Sequence, residues 1–230
     1  MASVLEGGAR GAVGGSGPKG EAIARAAMRL FLADGYERTS VDAIAAEAGV
    51  SKRTIYNRYG DKERLFLSVL RETFSAMLAT FRSIADAHFP EDGAATGSSV
   101  PPRSSVPPGE DTLEPDLTAF VLEAARTLWA DPERNALVRL ILTEAPFFPS
   151  LLREEVGEQG THGTLARVLS RLARSGQLAV SDPAEAAEHL FALTFAQVST
   201  RSMFAPLSDA EVERIVTGSV RVFLRAYRPD

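Results

Sequence analysis

Apolar residues recur along most of this chain at the spacing of one helix face. Ile23, Ala27, Leu30 and Phe31 follow i, i+4, i+7 and i+8, which predicts a buried stripe on a helix that Gly35 ends in a left-handed conformation. Val41, Ile44, Ala45 and Ala48 repeat the pattern, with Ser40 or Thr39 as the N-cap. A further helix opens near Asp61 and runs through Leu65, Val69, Thr73, Met77 and Phe81. Later helices are predicted over Pro115–Ala130, Pro132–Ala145, Thr161–Ser175, Pro183–Ser202 and Ser208–Tyr227. Asp131-Pro132 and Asp182-Pro183 each place a capping carboxylate before a proline at the first helical position. No alternating strand pattern and no repeat of 20–50 residues is visible, so the fold class is all-α.

Three breaks divide this pattern. Residues 1–18, rich in Gly, Ala and Ser with no apolar period, read as a disordered tail. Residues 89–112 mix Pro, Gly and Ser with few large apolar groups and read as a long disordered loop. A shorter break at Ala205–Asp209 separates the last two helical stretches. The predicted organisation is a small helical domain over 19–66 and a larger one over 67–230.

Between the second and third helices the residues change character. Ala45, Ala46 and Ala48 are small enough for two helices to approach closely, Gly49 supplies a turn at positive φ, and Val50 plugs the space between them. Ser51 caps the next helix, whose Ile55 and Tyr59 lie four apart and face inward. This is the layout of a helix-turn-helix, in which the second helix enters the DNA major groove. Lys52, Arg53 and Thr54 fall on its first turn, which points at base edges. Arg53 is the candidate base reader, because a guanidinium can grip O6 and N7 of guanine together. Tyr56 and Asn57 lie on the outer side, suited to phosphate or base contacts, and Lys62 at the start of the next helix makes a phosphate site.

Composition sharpens this reading. The 230 residues are 45% apolar, enough for a real core, and contain no cysteine, which excludes disulfides and thiolate chemistry. No stretch reaches the roughly 18 apolar residues of a membrane span, and the N-terminus lacks a signal-peptide pattern, so a cytoplasmic protein is expected. A net charge of −5 and a pI near 5.4 argue, by themselves, against a nucleic-acid partner. Yet residues 51–64 carry Lys52, Arg53, Arg58, Lys62 and Arg64 against only Asp61 and Glu63. Phosphates respond to charge within roughly 8–10 Å, so the local excess outweighs distant acid.

The run from about Lys19 to Leu70 resembles the N-terminal domain of the TetR family of one-component regulators. The resemblance is carried by Gly35-Tyr36, Thr39-Ser40-Val41, Ile44-Ala45, Glu47-Ala48-Gly49-Val50-Ser51-Lys52, Ile55-Tyr56, Tyr59, Asp61-Lys62-Glu63 and Leu65-Phe66. It implies phosphate contacts by Ser40, Lys52, Thr54, Tyr56, Asn57 and Lys62, with Arg53 facing the bases. It also implies that 67–230 binds a small-molecule effector and pairs two subunits, and that a double-stranded operator is the DNA partner. Tyr59 replaces a frequent Phe, Asn57 stands where His or Tyr is common, and Arg53 is bulkier than the usual Gly or Ala. The last departure bears on any operator sequence borrowed from the family, and not on DNA binding itself. The stretch Val138–Ala145 with Phe147, Phe148 and Pro149 resembles the AefR-like C-terminal type within the family.

The last two long helices carry broad apolar arcs. Leu190, Thr194 and Val198 on one, and Ile215, Val220 and Phe223 on the other, are read as a homodimer face, the alternative being the middle of a monomeric bundle. Phe120, Trp129, Phe147, Phe148, Phe191 and Phe195 are candidate pocket aromatics, with Glu144, His162, Gln197 or Arg201 as polar anchors; ordinary core packing is the alternative. Such a pocket suits a hydrophobic or amphipathic effector. His88, His162 and His189 lack metal-ligand spacing, Ser98 and Ser99 have no nucleophile elbow, and the glycine pairs near the N-terminus do not open a helix after a strand. No enzyme activity, metal or cofactor is expected. A helical interaction or carrier protein without DNA binding is the second function class.

Overall fold

A computed structural model of the chain describes residues 17–90, 112–130, 132–144, 146–148 and 160–229. All the regular structure among the described residues is helical, with no strand among them. The expected tail over 1–18 and loop over 89–112 lie almost wholly outside the described residues. Of the loop, Phe89, Pro90 and Thr112 are described: Phe89 is buried, with its ring 5.7 Å from Phe120, and the buried Leu113 follows Thr112. The chain divides into two compact units, 1–75 and 76–230.

The first unit holds α1 (Pro18–Arg38), α2 (Val41–Ala48), α3 (Lys52–Tyr59) and the beginning of α4 (Lys62–His88). Pro18 opens α1 at its first turn, and Ile23, Ala26, Ala27 and Phe31 form its buried stripe, with Leu30 half-buried. Gly35 has φ 79 and ψ 172, so it breaks α1 rather than ending it, and a last turn continues to Arg38. The buried Thr39 closes this break: its Oγ1 lies 2.8 Å from the Gly35 carbonyl and 3.2 Å from that of Leu30. Ser40, not Thr39, caps α2 by accepting from the Ala43 N–H. Gly49, at φ 65, ends α2 with the Val50 N–H on the Ala45 carbonyl and its own N–H on that of Ala46. Phe66 of α4 meets Phe31 edge-on at 4.9 Å and Tyr36 at the same distance. Burying side chains such as Phe31, Ile44, Ile55 and Phe66 contributes about 1.5–3 kcal/mol each.

The second unit takes the rest of α4, where Met77, Leu78, Phe81, Ile84 and Ala85 are buried. It continues with α5 (Leu113–Ala124), a π-helical turn (Ala125–Trp129), α6 (Pro132–Glu144), α7 (Thr161–Arg174), α8 (Pro183–Leu193), α9 (Phe195–Ser202) and α10 (Asp209–Tyr227). In the π turn the Ala130 N–H reaches the Ala125 carbonyl, and Asn135 Nδ2 donates to the Trp129 carbonyl at 2.8 Å. The helix expected over 183–202 is two helices. Thr194 leaves the helical region (φ −113, ψ −82), and its hydroxyl donates back to the Leu190 carbonyl. The Leu193 carbonyl beside the break is taken by the Ser219 hydroxyl of α10. Asp182 caps α8 as its pairing with Pro183 predicted, and Ser208 and Glu211 form a reciprocal capping box on α10.

The dimer face read from the sequence needs correction. Leu190, Thr194, Val198 and Val220 are fully buried within one chain, Phe223 is 1% exposed and Ile215 6%. They form the interior of this unit, so they cannot also meet a second copy. Both arcs are wide because several helices of the same chain cover them, which is the bundle-middle alternative.

Candidate nucleic-acid interface

The two faces of α3 are chemically distinct. Ile55 and Tyr59 are buried, while Lys52, Arg53 and Asn57 are exposed and Tyr56 is 41% exposed. Ser51 Oγ accepts from the Thr54 N–H at 3.1 Å and lies 2.8 Å from the half-buried Thr54 hydroxyl. The Gly60 N–H closes the other end on the Tyr56 carbonyl. An eight-residue helix is too short to hold itself in water, so these caps and the inward pair supply its order. Ser40 is exposed at the start of α2, its Oγ already serving as cap.

The basic residues counted along 51–64 are mostly engaged. Lys52 Nζ lies 2.8 Å from Asp42 Oδ2 at the start of α2, and this hydrogen bond and charge hold the ammonium pKa above its ordinary value. Lys62 Nζ donates to the Glu37 carbonyl at 3.2 Å and sits 4.3 Å from the centre of the Tyr36 ring, a cation–π contact. Arg64 Nε is 3.6 Å from Asp61, whose Oδ1 also caps α4 through the Arg64 N–H. The Arg58 guanidinium lies against Gly20 of α1; a Cβ on that glycine would stand 2.5 Å from Arg58 Nη2. Arg29 and Glu47 form a further ion pair between α1 and α2. Arg53 differs from these cations: it is exposed and makes no ion pair among the described residues.

The expected DNA-binding residues Ser40, Ser51, Lys52, Arg53, Thr54, Tyr56, Asn57 and Lys62 fall at the N-cap of α2, at the N-cap of α3, on α3 or at the start of α4. Lys62 is half-buried and partly committed to α1, unlike the open phosphate site its position suggested. Asp42, Glu37 and Gly20 were not singled out from the sequence. They engage partners 10, 25 and 38 residues further on, and no local pattern announces such pairs.

In the second unit, four candidate pocket aromatics come together. Trp129 stacks on Phe195 at 4.2 Å, Phe191 lies 5.9 Å from Phe195 and 6.1 Å from Trp129, and Phe81 of α4 touches Phe120, Trp129 and Phe195. Phe147 does not join them: it is 76% exposed in the turn after α6, so it cannot line an interior cavity. Glu144 and Phe148 are buried beside that turn. The His162 ring lies 4.4 Å from Phe191, and its Nδ1 is buried without a hydrogen-bond partner among the described residues. Burial pushes the His162 pKa down, with Glu188 opposing. Gln197 Nε2 turns to the Leu193 carbonyl at 3.5 Å, and Arg201 is exposed. Among the described residues no helix is long and apolar enough to cross a membrane.

Comparison with known proteins places both units. The model of bacterial regulatory proteins of the TetR family matches residues 23–69, and that of the AefR-like transcriptional repressor C-terminal domain matches 116–229. A solved structure of a TetR-family transcriptional regulator from Mesorhizobium loti superposes with a TM-score of 0.73 at 29% identity, covering 92% of this chain and 97% of that one. The flavonoid-responsive regulator FrrA gives 0.62 at 29% identity, over 92% and 97% of the two chains. The repressor AcnR of Corynebacterium efficiens is 38% identical over 58 residues, 25% of this chain. That match spans 31% of the length of AcnR, so it compares a part of each protein and not the whole.

Proposed function

Because the chain belongs to the TetR family of bacterial regulatory proteins, we propose that it is a cytoplasmic repressor released from a near-palindromic DNA operator by a small ligand. The observation that carries this reading is the outer face of α3. It presents Lys52, Arg53, Tyr56 and Asn57 on a helix fixed at both ends, and Arg53 stands there without an ion pair among the described residues. A guanidinium in that position is free to meet a guanine edge without first breaking an internal contact. Ser40, Lys52, Thr54, Tyr56, Asn57 and Lys62 hold phosphate oxygens and set the register, while Arg53 discriminates sequence.

The effector is hydrophobic or amphipathic and enters among Phe120, Trp129, Phe191 and Phe195. Ring stacking favours a flat aromatic molecule, and the unpartnered His162 Nδ1 offers it one polar contact. The name of FrrA, a regulator responsive to flavonoids, supports the same class. The effector releases DNA by binding more tightly to a state in which the two reading heads are misplaced.

Two copies form the DNA-binding unit, as a palindromic site requires. Their contact uses outward positions of α8 and α10 in place of the buried arcs: Glu188 and Ala192 on one, Arg214, Gly218, Val222 and Arg225 on the other. Gly218 is exposed, and a Cβ there would meet nothing within 4 Å, so another helix can approach closely.

The decisive experiment selects bound fragments from genomic DNA with purified full-length chain, then screens aromatic molecules for release. A palindrome bound at nanomolar concentration, with affinity falling steeply in salt, is expected. Failure of the ligand-free chain to retard any DNA would favour the helical carrier instead. Sedimentation as a monomer at micromolar concentration refutes the dimer.

A further inference from the structure

The geometry points to Asp42 as an internal rival of the DNA phosphates for Lys52, an inference that rests on the DNA-binding reading above. Lys52 is the first residue of α3, where the partial positive charge of the helix end disfavours a cation and welcomes an anion. The carboxylate that answers is Asp42, on the first turn of α2, with Oδ2 2.8 Å from the ammonium. It therefore occupies, at the mouth of α3, the electrostatic role that a phosphate oxygen takes when DNA arrives.

Both side chains are open to solvent, Lys52 at 47% and Asp42 at 70%, so the pair opens readily and DNA can displace the carboxylate. The displacement costs part of what Lys52 gains from phosphate, and this cost is the same on every sequence. Asp42 thus lowers sequence-independent affinity, whereas Arg53, which has no ion pair among the described residues, keeps its full discrimination. An exposed pair of this kind lowers the hold of the head on random DNA by about threefold.

The test is a double-mutant cycle on the full-length chain, read by fluorescence anisotropy on a labelled random duplex and on the selected operator. Asp42→Asn should tighten random DNA by about threefold per head at low salt, leaving the ratio of operator to random affinity within about twofold. In a Lys52→Gln background the gain should fall below half its logarithm, because Asp42 then has no partner to withhold. It should also fade as salt rises to about 0.5 M. An equal gain in both backgrounds would show that Asp42 acts only through the general field and would overturn the inference. No gain, or a loss, would overturn it too, the loss meaning that Asp42 aims Lys52 at phosphate. Equal melting temperatures keep folding out of the comparison. If the wild-type chain binds neither duplex, the DNA-binding reading fails, and this outcome is distinct from any result within the cycle.

Discussion

Replacing Arg53 by alanine should separate base reading from phosphate holding more cleanly than any other change to the reading head. The side chain is exposed, makes no ion pair among the described residues and caps nothing, so its removal should alter folding stability by no more than about 0.5 kcal/mol. Nearly all of the measured effect then belongs to binding. A good bidentate contact to a base contributes about 1–3 kcal/mol of discrimination, and a two-fold dimer uses it twice, which gives about 2–6 kcal/mol. At about 1.4 kcal/mol per tenfold, operator affinity should fall by about thirtyfold at the least. Random DNA, held by phosphate contacts, should lose only the share of one cation per head. Arg53→Lys keeps that charge and removes the planar fork, so it should restore random binding without restoring operator preference. The assay is a titration of labelled operator and scrambled duplexes at fixed salt, beside thermal melts of each variant. Equal losses on operator and scrambled DNA would refute base reading by Arg53. A melting temperature lowered in step with affinity would refute the assumption that it carries no structural weight.

Three further outcomes follow from particular contacts. Thr39→Val keeps the side-chain shape but removes the hydroxyl that closes α1 at Gly35, and should cost about 1–2 kcal/mol in urea unfolding; an unchanged midpoint would mean water replaces it. Phe81→Ala removes a fully buried ring that touches Phe120, Trp129 and Phe195, and should cost about 3–5 kcal/mol; a loss below about 1.5 kcal/mol would show that the cluster collapses into the space. His162 has its folded pKa lowered by burial, so the unfolded chain protonates first as pH falls. Stability present above about pH 6.5 should therefore decline on acidification toward pH 5, and His162→Gln should flatten that decline in paired urea titrations. An identical slope in wild type and variant would assign the acid sensitivity elsewhere.

The helices and the reading head were legible in the sequence because their signals are local. A capping serine acts on an N–H three residues on, a buried stripe repeats within two turns, and Gly49 needs only its own φ. Ser51, Ile55, Tyr59 and Arg53 could therefore be assigned to cap, core and outer face from spacing alone. The division at Thr194 was not legible, because it depends on the Ser219 hydroxyl 26 residues away taking the Leu193 carbonyl. Phe147 looked like its neighbour Phe148 in composition, and only the turn after α6 sends one outward and the other in.

By itself the sequence determined which residues share a helix face, where the helices capped by Ser51 and Asp182 start, and that a basic turn follows Gly49 in an acidic chain. Tertiary structure decided which apolar arcs are covered by the chain's own helices, and so removed Leu190, Val198 and Phe223 from any contact with a second copy. It also decided which charges are already answered: Lys52 by Asp42, Lys62 by Glu37 and Tyr36, with Arg53 left over. The physical reason is range. Helix spacing and capping operate within about five residues, whereas burial and ion pairing join residues that only the folded chain brings together.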